Sequence, residues 1–410
     1  MQETPVLESE SPETKDHLLS KAGESTRSVH GGELRQQSSD TLTTPIHQTS
    51  TYWFSNSKEL KAYQEGRLQR DEYGRYGNPT WRAVERKLSE LEGAEESLLF
   101  ASGMSAATTT LFALLPRGGH LVITSDCYRR TRQFCRDYLT KMDVETTVIE
   151  PSNLSELEDS LRDDTDVFFS ESPTNPYLRV LDVKEAVRLT KQRGALAIID
   201  ATFATPVNYR PLDDDVDLVI HSASKYLGGH NDLLAGVAAG PSELIKKLRD
   251  ANGVLGGITA PQNAYLLLRG LKTLGLRMTR HNENASRIST WLENHPRIRK
   301  VYYPGLKSHP DYDVAVRTMR GFGGVVTFEV DADLDTTARF VDHCKIPYIA
   351  PSLGGVESLI EMPAIMSYWD VPREERLGYG ISDSLVRLSC GIEDSEDLLE
   401  DLEQALAVIS

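Results

Sequence analysis

His221-Ser222-Ala223-Ser224-Lys225-Tyr226-Leu227-Gly228-Gly229-His230 follows the apolar run Leu218-Val219-Ile220. That run reads as a buried strand entering from an acidic loop. A lysine at the mouth of a buried strand is costly unless it is paired or used covalently. Ser222 and Ser224 offer donors for a phosphate, and Gly228 and Gly229 let backbone approach a flat ligand closely. A phosphorylated aldehyde held by Lys225 as a Schiff base meets all three conditions, and pyridoxal 5'-phosphate is such a group. The same short pattern also fits a lysine capping a strand end at the surface. The neighbouring stretches must decide between them.

Upstream, Ala195-Leu196-Ala197-Ile198-Ile199 reads as a strand ending in Asp200. A carboxylate at a buried strand end needs a cationic partner, and the protonated pyridine nitrogen of the cofactor would supply one. With one further strand between them, Asp200 and Lys225 fall at the carboxyl ends of neighbouring strands in a doubly wound sheet, where ligands bind. Phe168-Phe169-Ser170 leads into Glu171-Ser172-Pro173-Thr174-Asn175-Pro176, and two X-Pro units predict an extended turn that fixes Asn175. Strand Leu121–Thr124 leads to Asp126-Cys127-Tyr128-Arg129-Arg130-Thr131-Arg132. Tyr128 at a strand's carboxyl end is placed to stack on a planar ring. Three arginines beside it read either as a solvated helix start or as an anion subsite. Ala101-Ser102-Gly103-Met104-Ser105-Ala106 opens a helix after Leu98-Leu99-Phe100, a strand, turn and helix N-terminus suited to phosphate. Tyr73 and Arg75, two apart on an extended loop, point the same way toward a shared anion. Thr80 is a fitting N-cap for a helix over Trp81–Leu91.

Downstream, Ala264–Leu292 predicts one long helix joining two domains, followed by a strand at Gly323–Val330 and a helix at Thr336–Cys344. Leu385-Val386-Arg387-Leu388-Ser389 reads as a strand carrying a half-buried arginine, which fits a carboxylate clamp or an ion pair within the smaller domain.

The chain has 410 residues, 39% hydrophobic and 26% charged, which is long enough for two domains with large cores. A formal net charge of −16 argues against nucleic acid and anionic membrane surfaces as partners. Cys127, Cys135, Cys344 and Cys390 show no metal-ligand spacing, so no metal is expected and the cysteines read as reduced. Residues 1–26 are rich in Glu, Ser, Thr and Pro, which predicts a disordered acidic tail unlike a transit peptide. A cytoplasmic location is the resulting expectation. Residues 27–62 read as an N-terminal arm across a partner subunit, 63–262 as a large cofactor domain and 263–410 as a C-terminal domain.

Taken together, YGRYGNPT at 73, ASGMSA at 101, ESPTNP at 171, SASKYLGGHND at 222 and SLGG at 352 resemble the Cys/Met-metabolism family of pyridoxal-phosphate enzymes. DCYRRTR at 126, IPYIAPSLGGVESL at 346 and PAIMSYWD at 363 carry a narrower likeness to its plant-type γ-synthases. The resemblance implies an α/β chain of fold type I, a doubly wound, mostly parallel sheet with a smaller C-terminal α+β domain. It implies Lys225 as the Schiff-base lysine, Asp200 on the pyridine nitrogen and Tyr128 stacked on the ring. Gly103, Met104, Ser222 and Ser224 would hold the phosphate, with Tyr73 and Arg75 reaching it from a neighbouring subunit of a homotetramer, a dimer of dimers. Arg387, Asn175 and Ser352 would bind the substrate α-carboxylate, and Arg130 an anionic leaving group. The reaction implied is a γ-replacement joining a phosphoryl, succinyl or acetyl ester of homoserine to L-cysteine. A γ-lyase and a sulfhydrylase share nearly all these residues and remain alternatives. Pro351 stands where many relatives have glutamate, as it does in the plant-type enzymes, and Arg130 stands where those often carry lysine.

Overall fold

In a computed structural model, which describes residues 22–34, 37 and 40–409, two sheets organise the chain. The first contains β1 (Glu96–Phe100), β2 (His120–Thr124), β3 (Glu145–Ile149), β4 (Thr165–Glu171), β5 (Leu196–Asp200), β6 (Leu218–Ser222) and β7 (Gly236–Gly240). Their order is β1-β7-β6-β5-β4-β2-β3, and only β7 runs against its neighbours. The parallel strands are apolar on both faces: Val219 and Ile199 pack into one cluster while Ile198, Leu218 and Ile220 pack into another. Their carboxyl ends therefore come out together along one edge, and the loops after β2, β4, β5 and β6 meet there. The second sheet contains β8 (Ile298–Tyr302), β9 (Val325–Val330), β10 (Tyr348–Ile349), β11 (Leu359–Glu361) and β12 (Leu385–Ser389) in the order β10-β11-β12-β9-β8.

Helices cover the sheets. The ones that matter to the site are α1 (Glu24–His30), α2 (Pro79–Glu92), α3 (Gly103–Leu114), α4 (Arg129–Asp137), α5 (Ser242–Leu255), α6 (Pro261–Leu271) and α7 (Leu274–Glu293). Leu274, Met278, Ala285, Ile288 and Leu292 of α7 lie in a core that also takes in Val326 and Phe328 of the second sheet and Val237 of the first. That continuous apolar contact ties the sheets together.

Two local expectations are corrected, the extent of one helix and the identity of one cap. The long helix read over Ala264–Leu292 breaks after Leu271. Arg277 Nη2 takes the Gly270 carbonyl at 2.8 Å, the acceptor a continuing helix would use. The cap of α2 is Asn78, whose side chain accepts from Thr80 N at 2.8 Å, while the Thr80 hydroxyl accepts from His47 N at 2.9 Å. The arm begins with α1 docked on its own chain: buried Lys87 donates to Ser28 O at 2.9 Å and Val29 O at 3.1 Å. Arg27 likewise donates to the Leu91 carbonyl at 3.3 Å, closing the end of α2. The acidic tail read over residues 1–26 lies almost wholly outside the described residues.

Candidate active site

β6 ends at Ser222, and the turn that follows carries Lys225 into a largely enclosed position. Its Nζ donates to Ser352 Oγ at 2.6 Å. Burial pushes the Lys225 pKa down to about 8; Arg387 adds to the effect and Glu361 opposes it. An amine in that range exchanges protons readily near neutral pH.

Two devices hold the lysine turn. Arg277, 4% exposed, donates to Tyr226 O at 2.6 Å and reaches Leu227 O at 3.5 Å, so a guanidinium caps the carbonyls just past Lys225. On the other side lies the Ser352–Gly355 loop. Gly354 sits at φ +79°, and a Cβ there would come within 2.6 Å of Tyr226 N, so only glycine lets the two loops close. Ser352 itself has φ 94°, a left-handed conformation costly for a residue with a side chain. It aims Oγ at Lys225 while its carbonyl accepts from Arg387 Nη2 at 2.9 Å.

Arg387 on β12 is 6% exposed and donates through Nη1 to Asn175 Oδ1 at 3.0 Å. Lys225, Ser352, Arg387 and Asn175 thus form one connected group, drawn from both sheets.

Asp200 ends β5. Its Oδ1 accepts from Thr202 N at 2.9 Å and Thr202 Oγ1 at 2.5 Å, and that same hydroxyl accepts from Ser222 N at 2.8 Å. Thr202 therefore fastens the Asp200 carboxylate to the start of the lysine turn. Glu171 of β4 lies directly across from Asp200 in parallel register. Burial raises both carboxyl pKa values; the Thr202 bonds hold Asp200 back, whereas the Asp200 charge pushes Glu171 further up. Asp200 is accordingly the one of the pair left to ionise. Glu171 Oε1 accepts from Tyr128 N at 2.6 Å, anchoring the Tyr128 loop to the same strand ends. The Tyr128 side chain is 47% exposed.

At the start of α3, a Cβ on Gly103 would lie 2.6 Å from Ser222 Cβ. The helix N-terminus thus meets the end of β6 in a cradle that any side chain would fill. Ser102 caps the helix by accepting from Ser105 N at 3.0 Å, and the first N–H groups of a helix have no partner within it. Ser224 is less free, since its hydroxyl accepts from Ala235 N at 3.0 Å and lies 3.3 Å from Ala235 O.

Amine, carboxylate, hydroxyls and helix N–H groups at one sheet edge fit the parts of pyridoxal phosphate: aldehyde, pyridine nitrogen and phosphate. Tyr73 and Arg75 are not part of this group. Arg75 lies 5.3 Å from the Tyr73 ring and 4.9 Å from that of Tyr76, and Tyr76 packs on Gly253 of α5. The three arginines after Tyr128 diverge: Arg129 pairs with Asp370 at 3.1 Å, Arg130 donates to Gln133 at 2.7 Å, and Arg132 to Cys127 O at 3.1 Å.

Sequence reasoning passed over Thr202, Glu171, Glu361 and Arg277. Glu171 opens the ESPTNP motif and Thr202 follows Asp200 by two residues, so a carboxylate and a hydroxyl at strand ends were a usable signal. Nothing local marks Arg277 for the site, since the carbonyls it caps beside Lys225, those of Tyr226 and Leu227, lie about fifty residues upstream. His221 and Glu92 were passed over as well. Both are fully buried, with His221 Nε2 and Glu92 Oε1 2.5 Å apart.

Known proteins extend the picture. The model of the Cys/Met metabolism PLP-dependent enzyme family matches residues 25–407. Cystathionine gamma-synthase 1, chloroplastic, of Arabidopsis thaliana is 51% identical over 400 residues, spanning 97% of this chain and 71% of that one. A cystathionine gamma-lyase of Bacillus subtilis is 41% identical over 382 residues, 93% of this chain and 98% of that one. The crystal structure of metB from Corynebacterium glutamicum superposes with a TM-score of 0.89 at 36% identity, over 96% of this chain and 100% of that one. Among the described residues no helix is long and apolar enough to cross a membrane. The chain is a PLP-dependent enzyme and belongs to the Cys/Met-metabolism family.

Proposed function

We propose that this enzyme is a cystathionine gamma-synthase, joining an activated homoserine ester to L-cysteine through Cγ. The observation that carries the reading is the 51% identity to the Arabidopsis synthase over nearly the whole chain, against 41% for the Bacillus lyase.

When bound, pyridoxal phosphate supplies an electron sink conjugated with the substrate's Cα. Lys225 and Asp200 would hold its two ends, with Gly103, Met104, Ser222 and Ser224 at the phosphate and Tyr128 over the ring. Arg387 and Asn175 receive the α-carboxylate, and the bonds that already orient the guanidinium leave little entropy to lose on binding. Lys225, with its pKa near 8, takes the Cα proton as a base and returns it as an acid. Lys225 then takes a proton from Cβ, the freed pair expels the ester group as the Cγ–O bond breaks with its own electron pair, and a proton returns to Cβ once the cysteine thiolate has formed the Cγ–S bond. Arg130, which donates to the Gln133 amide oxygen, supplies a cation for an anionic leaving group, best a phosphate.

We further infer a homotetramer in which Tyr73 and Arg75 complete a partner's phosphate site, a reading supported by their position away from their own lysine turn. Four unpaired cysteines support a reducing compartment, the cytoplasm in this reading.

The test is product analysis with O-phospho-, O-succinyl- and O-acetylhomoserine, each with and without cysteine. Cystathionine that requires cysteine is the expected result, and Arg130→Ala should weaken use of the phosphoryl ester most. Oxobutyrate formed from cystathionine while every ester stays inert would instead make the chain a lyase.

A further inference from the structure

Arg387 is not a bare cation. In the antiparallel pairing of β11 with β12 it stands opposite Glu361, and its Nη2 lies 2.8 Å from Glu361 Oε1. Both side chains are buried, 7% and 3% exposed. The same Nη2 donates to the carbonyl of Ser352, whose hydroxyl receives Lys225. An unbroken line of contacts therefore runs from Glu361 through Arg387 and Ser352 to Lys225.

We propose that Glu361 is a positioning residue for substrate binding: the buried counter-ion that orients the Arg387 guanidinium and sets how strongly it draws in an α-carboxylate. This rests on the reading of Arg387 as the carboxylate clamp. Two effects of opposite sign follow from one side chain. As a fixed acceptor on a strand, Glu361 limits the rotamers open to Arg387, which favours binding. As a negative charge it repels the incoming carboxylate and weakens binding. The charged groups facing it are Arg387 from β12 and Lys225 from the turn after β6. Burial raises its pKa, and Arg387 and Lys225 offset this only in part, so the net shift is upward; the charge pair is read from the 2.8 Å contact with the Arg387 guanidinium.

Variants of the holoenzyme separate the two effects. The probe is L-2-aminobutyrate, which has the α-carboxylate and amine but no leaving group at Cγ; its dissociation constant is read from the absorbance of the bound cofactor. Glu361→Gln keeps the shape and an acceptor but removes the charge, so binding should tighten about tenfold, with KM moving more than kcat. Glu361→Ala removes both, so binding should weaken about tenfold. A residue with only a structural role would not move the two variants in opposite directions. Glu361→Gln binding no tighter than the wild type overturns the proposal, and this variant decides alone if Glu361→Ala does not fold. Arg387→Ala is the separate control: wild-type affinity there would overturn the clamp reading itself, and this proposal with it.

Discussion

Replacing Thr202 by valine keeps the side-chain shape and deletes one hydroxyl that serves two partners. It donates to Asp200 Oδ1 at 2.5 Å and accepts from Ser222 N at 2.8 Å. A hydrogen bond to a charged group is worth roughly 1.5–3 kcal/mol, and the orphaned Ser222 N–H adds to the loss. The hydroxyl favours the carboxylate over the carboxylic acid, so its removal raises the Asp200 pKa further. Asp200 would then spend more time protonated and hold a pyridinium less well. At about 1.4 kcal/mol per tenfold, cofactor dissociation should increase ten- to a hundredfold. The assay is equilibrium dialysis of pyridoxal phosphate against the apoenzyme between pH 6 and 9, with Thr202→Ser, which keeps the hydroxyl, as the control. The deficit of the valine variant should shrink as pH rises, because deprotonation restores the carboxylate. A change below twofold, or an equal loss in the serine variant, would refute the argument that Thr202 tunes Asp200.

Two further outcomes follow from buried charges. Arg277→Met leaves the buried Tyr226 carbonyl without its donor, while Gly270 O keeps those from Thr273, which should cost roughly 1–3 kcal/mol. A urea midpoint within error of the wild type would rule that out. For His221, burial alone lowers the pKa, but the Glu92 carboxylate more than offsets this and the net shift is upward. The pair's stabilising contribution is therefore full below the unfolded histidine value and fades as pH rises through the raised one. Glu92→Gln should flatten this fall in stability above neutral pH in urea titrations, and an unchanged slope would count against the pair.

Much of the site was legible because its residues sit in short stretches with their own chemistry. Lys225 between two serines and two glycines, Asp200 closing an apolar run and Gly103 opening a small-residue helix each state a local requirement. The helix breaks and the caps were harder. Asn78 and Thr80 are both competent caps, and only the approach of His47 draws the Thr80 hydroxyl away. Ala264–Leu292 has few breakers, so its interruption comes from Arg277 competing for the Gly270 carbonyl.

The sequence alone determined the order of strands and helices, the identity of the amine, carboxylate and guanidinium, and the family they belong to. Periodicity and turn chemistry are local, and they act within a few residues. Tertiary structure decided which groups share charge and protons. Glu171 beside Asp200, Glu361 beside Arg387 and Glu92 beside His221 are pairs separated by 26 to 129 residues, brought together by sheet register and helix packing. Their protonation follows from burial and from each other's fields, and both arise only once the strands are side by side.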